Sequence, residues 1–183
     1  MSRLTMLAPE DMSADQRRVA DEITSGPRRR LAGPFNAWLR SPELADRAQK
    51  LGAFLRFGTS LSKRLKELAI LVTARHWNAQ FEWHAHEPEA LDGGLAPDII
   101  AAIRARQRPD FTEADEELVY EVSRALHEAH RIDDALYARA IETLGEDGTA
   151  ELVGLLGYYT LVSMTLNAFD VPLPDGVAPP LDD

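Results

Sequence analysis

Residues 63–76 read Lys63-Arg64-Leu65-Lys66-Glu67-Leu68-Ala69-Ile70-Leu71-Val72-Thr73-Ala74-Arg75-His76, and the fold turns on how this stretch is read. Ser62 stands where a helix N-cap belongs, and the apolar residues behind it lie on nearly every side of a helix of 3.6 residues per turn. Such a helix has no broad face for solvent, so it must run through the middle of the protein with other helices around it. Glu67 and Arg75 are carried inward with it, and a charge taken out of water needs a partner. The longest apolar run, Leu68–Val72, is far too short to span a bilayer, which takes about 20 residues.

Working outward, the chain supplies the wrapping helices one after another. Ser13 caps a first helix that buries Val19, Ala20 and Ile23 and stops at Gly26-Pro27. Residues 28–39 hold Gly33, Pro34, Phe35, Asn36 and Trp38, too irregular for a helix start and too aromatic for an idle linker, so the loop is expected to lie against the body. Ser41-Pro42 opens a helix to Phe57 with Leu44, Ala48, Leu51 and Leu55 at helical spacing. Beyond the central helix, the spacing predicts one helix from Ala79 to Leu91, ended by Gly93-Gly94, and another from Pro97. Thr112 with Asp115 resembles a capping box opening 113–130, Asp133 caps a helix to Leu144, and the last helix runs from Thr149 to Ala168. Gly154 and Gly157 on that last helix would let a neighbouring backbone, or a second subunit, approach closely. From Val171 the tail carries four prolines and reads as an irregular arm over the surface. No strand alternation and no linker appear, so the expectation is one all-α, compact multi-helix bundle over residues 1–183.

Composition narrows the chemistry. The chain has no cysteine, which removes disulfides, thiolate nucleophiles and iron–sulfur clusters together. Thirty acidic against twenty basic side chains give a formal charge of −10, which repels a phosphate backbone, so no nucleic-acid partner is expected. The one basic run, Arg28-Arg29-Arg30, reads as a loop or an anion clamp. The N-terminus lacks the apolar core of a leader segment, and a cytoplasmic protein without a membrane partner is expected.

Functional side chains are densest between Glu67 and Glu87. On the helix from Ala79, Glu82 and His86 stand four apart on one face and can pair as an acid/base unit, although the same spacing is common on solvated faces. Glu67 can find its partner in His86 or in Arg75, and the second pairing would be purely structural. His84 and His86 diverge by about 200° on a helix, which argues against a metal site. Trp38, Trp77 and Trp83 are by default core or interface residues, and His127 with His130 reads as an exposed face near a helix end.

The stretch from Lys66 to Glu87, with Gly33-Pro34-Phe35-Asn36 and Ser41-Pro42-Glu43-Leu44 before it and Gly154 to Asn167 behind it, resembles the carboxymuconolactone decarboxylase family, whose superfamily also holds the alkylhydroperoxidase D proteins. The resemblance covers about residues 30–174 and implies an alkylhydroperoxidase D-like helical fold. The peroxidase members carry a glutamate, two cysteines three apart and a histidine; these fall on Glu67, Ala79, Glu82 and His86, so the glutamate and histidine of the proton relay are kept and both thiols are lost. The resemblance therefore implies a cofactor-independent, carboxy-lyase-type acid/base reaction on a small organic acid or lactone, and a homo-oligomer, trimer or hexamer. His86 would be the acid/base with Glu82 and Glu67 orienting it. Arg75 or the Arg28–Arg30 loop would hold the substrate anion, and Phe35, Asn36, Trp38, Trp77 and Trp83 would line its pocket. A non-catalytic ligand-binding or scaffold protein shares every packing feature and is the competing expectation; family-type peroxide reduction is disfavoured by the missing thiols.

Overall fold

The computed structural model describes residues 2–26 and 29–182. Eight α-helices account for the regular structure of these residues: α1 (Ala14–Ser25), α2 (Phe35–Trp38), α3 (Pro42–Phe57), α4 (Lys63–His76), α5 (Gln80–Asp92), α6 (Pro97–Arg104), α7 (Ala114–Glu128) and α8 (Asp134–Ala168). A single 3₁₀ turn, Pro9–Asp11, precedes α1, and no strand occurs among the described residues.

α4 is the axis of the bundle. It packs on α5, α6, α7 and α8, and eleven consecutive residues from Leu65 to Arg75 are buried. Leu68, Ala69, Leu71 and Ala74 are wholly inaccessible; burying a leucine side chain stabilises a fold by roughly 1.5–3 kcal/mol, which is why so apolar a segment cannot stay at the surface. The Ser62 hydroxyl accepts from Leu65 N at 3.3 Å, the expected cap. Ser13 and Gln16 form a complete capping box on α1.

Some local expectations give way to tertiary contacts. Thr112 does not form a capping box: α7 starts one residue later behind Glu113, and Asp115 and Glu116 turn instead to Arg64 of α4. A guanidinium brought in by the fold outcompetes the backbone for these carboxylates. The loop 28–39 contains the one-turn helix α2, because Phe35 and Trp38 must both reach the core and a helical turn places residues three apart on one side. Trp38 packs edge-on against Tyr158 at 6.1 Å and its indole N–H donates to Thr165 Oγ1 at 3.0 Å. α8 is long, but Gly145 interrupts it with φ 71 and ψ 176, so the break falls at one residue and the second run begins before the predicted start at Thr149.

The tail is irregular, as its prolines led us to expect, and its end lies against the body. Leu181 is buried, its N–H and C=O bond to the Gln80 side-chain amide, and Asp182 reaches Arg75. No helix among the described residues is long and apolar enough to cross a membrane.

Candidate active site

The α4–α5 corner builds the site. Asn78 adopts a left-handed conformation (φ 49) between the two helices, and the chain doubles back on itself there. Residues 19 apart in sequence are thereby brought together: His86 Nδ1 lies 2.6 Å from Glu67 Oε2, with Glu67 4% and His86 8% exposed. Of the two partners open to Glu67, the fold selects His86. Pairing of Nδ1–H with the carboxylate fixes the imidazole and leaves Nε2 as the ring atom available to a ligand. Tyr159 of α8 packs edge-on to the same ring, 5.0 Å between centroids and 89° between planes.

Glu82 is not the partner of His86. It faces α8, where the Ser163 hydroxyl donates to its Oε2 at 2.9 Å, while Oε1 has no hydrogen-bond partner among the described residues. Burial pushes this carboxyl well above the usual range, and the Ser163 bond only partly opposes that. Glu82 is thereby biased toward its uncharged, protonated form. Burial also raises the Tyr159 phenol, despite the pull of the Arg56 charge, so it stays neutral.

Glu82, His86 and Tyr159 line one cleft of about 100 Å³, walled by Phe35, Phe81, Val162 and Leu166 and bordered by Arg30 and Arg56. Neither arginine has a carboxylate partner among the described residues. Gly33 is fixed in this wall twice over: its φ of +67 suits glycine, and a Cβ there would stand 3.2 Å from Phe81 Cε1.

Several predicted site residues lie elsewhere. Arg75 does not hold an anion in this cleft; its guanidinium donates to Arg104 O, Asn78 Oδ1 and Asp182. Of the expected basic loop, Arg28 lies outside the described residues, Arg29 sits by the end of α1, and Arg30 alone borders the cleft. Asn36 clasps the N-terminal arm through Leu7 N and Thr5 O. Trp38 and Trp83 are core residues, Trp83 donating to Glu87 Oε2 at 2.9 Å, and Trp77 caps α4 beside His76. Among the predicted pocket residues only Phe35 lines the cleft. His127 is not on an exposed face: it stacks on His76, 4.7 Å apart and 16° from parallel, and bonds to Thr73 Oγ1.

Arg56, Tyr158 and Tyr159 went unnoticed in the sequence. Arg56 looks like any basic residue in the last turn of a helix, and the Tyr158-Tyr159 pair reads as packing. The one signal that could have found Tyr159 is its place on α8 four residues before Ser163, which puts both on the face that meets α5.

No protein-family model and no curated protein sequence matches the chain. Among solved structures it is similar to an uncharacterized peroxidase-related protein from Ralstonia eutropha, described as an alkylhydroperoxidase AhpD core, with a TM-score of 0.76 at 12% identity over 95% of this chain and 93% of that one. The wrapped central helix, the α4–α5 corner and this superposition together give the chain an alkylhydroperoxidase D-like fold.

Proposed function

We propose that the chain is a cofactor-independent acid/base enzyme of the carboxymuconolactone decarboxylase type, acting on a small carboxylated or lactone substrate. The observation that carries this reading is His86, held by the buried Glu67 carboxylate, beside Glu82 in one cleft, with burial raising the Glu82 carboxyl above its usual range. An imidazole oriented by a carboxylate, beside a carboxyl that burial biases toward its protonated form, supplies the kinds of group a proton-transfer reaction needs. Arg30 and Arg56 would take the substrate carboxylate, a role moved here from Arg75, and Phe35 and Phe81 would pack on its ring. On loss of carbon dioxide the C–C bond breaks, its electron pair stays on the substrate carbon, and a proton delivered from His86 Nε2, which the ring must then carry in addition to the Nδ1–H held by Glu67, completes the product. The apolar wall favours a step that dissipates charge.

The neighbour's peroxidase-related name does not transfer. Reduction of a peroxide through a protein thiol needs a cysteine, and the chain has none.

The test is thermal stability of the wild type and of His86→Gln across lactones, muconate-like diacids and phenolic acids, followed by turnover of any class that binds. A ligand at 100 times its Kd stabilises by roughly 2.7 kcal/mol. The expected result is a class that protects the wild type, protects His86→Gln less, and is turned over about 10²- to 10⁴-fold more slowly by the variant. Binding without turnover, equal in both proteins, would favour the ligand-binding reading instead.

The oligomeric expectation also stays a proposal, with one supporting observation. Ala150, Val153, Gly154, Gly157, Leu161, Met164 and Ala168 form an uncharged exposed stripe along α8, and we assign it to contact with a second copy of the chain.

A further inference from the structure

A second cleft lies between α4, α6 and α7, and it shares no residue with the Glu67–His86 site. Three guanidinium groups border it: Arg75, Arg106 and Arg124. Arg75 is neutralised by Asp182, at 2.6 Å, and Arg124 grips Glu128 through two bonds of 2.8 and 2.6 Å. The Arg106 side chain has no hydrogen bond and no ion pair among the described residues. Three cations against two carboxylates leave one positive charge in excess, on a chain whose formal charge is −10. Burial, with the like charge of Arg106 added, pushes both Arg75 and His76 below their ordinary values.

The backbone holds Arg106 there against its own preference. It follows α6 at φ 57, with Arg106 N bonded to Ile103 O and Gln107 N to Ala102 O, the position that usually falls to glycine.

The floor of the cleft is apolar and aromatic. Val72, Ile103 and Tyr120 line it together with the stacked His76 and His127. The Thr73 hydroxyl donates to Ala69 O at 2.9 Å, so at His127 it accepts, and the His127 proton sits on Nε2. Burial, reinforced by His76, lowers His127 to about 4, leaving a flat uncharged ring near neutral pH.

We propose that this cleft binds a small organic carboxylate with an apolar body, the carboxylate on Arg106 and the body against Val72, Ile103, Tyr120 and the imidazole rings. An inorganic anion would use only the charge, and a neutral ring only the walls.

The experiment is a titration of the full chain followed at the imidazole Cε1–H resonances by NMR, with benzoate, benzamide and inorganic phosphate as probes. Benzoate should move the His76 and His127 signals saturably, and in Arg106→Gln its Kd should rise about tenfold or more. Arg106→Gly should lose binding equally while melting roughly 2–4 °C higher, because glycine relieves the left-handed backbone. The higher melting point shows that the variant is folded. Any of three results overturns the proposal: no movement with benzoate, equal affinity for benzamide or phosphate, or unchanged benzoate binding in Arg106→Gln. Signals of His86 report the first cleft separately, so failure here leaves the proposed function to its own test.

Discussion

Glu82 carries a free carboxyl oxygen where water does not reach, and its protonation links directly to stability. Its folded-state pKa is raised, so between the unfolded value near 4.5 and the folded value the unfolded chain releases a proton that the folded chain keeps. Stability contributed by the neutral form is thus complete below about pH 4.5 and is lost as pH rises, by about 1.4 kcal/mol per unit. Glu82→Gln keeps the shape and removes the titration. Its stability relative to wild type, from denaturant melts at a series of pH values, should climb above pH 4.5 and level off at the folded pKa; parallel curves would mean that Glu82 ionises as freely folded as unfolded. His127 works in the opposite sense, its pKa lowered by burial and by His76 to about 4. The stability it contributes is present above about pH 6.5 and lost as pH falls toward 4, so His127→Asn should be less sensitive than wild type to acid in that window. Neither effect was legible in the sequence. A 3.6-residue period marks Glu67 as inward-facing, but nothing in the spacing of Glu82 distinguishes a solvated face from the α8 contact that strips it of water.

At the scale of elements, α8 poses the sharpest test. Gly145 takes φ 71 with ψ 176, a region closed to residues with a Cβ, although a Cβ there would meet nothing within 4 Å. Gly145→Ala should therefore cost about 1–3 kcal/mol through the backbone alone, seen as a melting point lower by roughly 2–4 °C per kcal/mol. Were the break merely tolerated, alanine would straighten the helix and stabilise it. Helix starts were legible where the cap is local, as at Ser13 and Ser62, and misleading at Thr112, where Arg64 draws Asp115 and Glu116 away from the helix start.

For the molecule as a whole, the exposed α8 stripe sets the expectation. Val153, Leu161 and Met164 are 45%, 38% and 50% exposed, with glycines between them and no charge. Leu161→Glu, which introduces an unpaired charge into the proposed contact, should convert an oligomer to monomer in sedimentation equilibrium. A wild type that sediments as a monomer would remove the contact altogether. Gly157→Ala, in a helical position with open space around it, should stabilise an isolated subunit by about 0.5–1 kcal/mol and so separates helix propensity from assembly.

By itself the sequence determined the all-α class, the central place of residues 63–76, the order of the helices, and the absence of any thiol chemistry, because periodicity, capping and composition are local properties that no distant contact rewrites. Only the tertiary structure decided that Glu67 pairs with His86, that Glu82 turns to Ser163, that Arg56 and Tyr159 share the cleft, and that Arg75 serves the tail. Those outcomes depend on which helix faces which across the core, a choice made by packing over separations of 19 to 107 residues, where side-chain spacing along the chain carries no record of it.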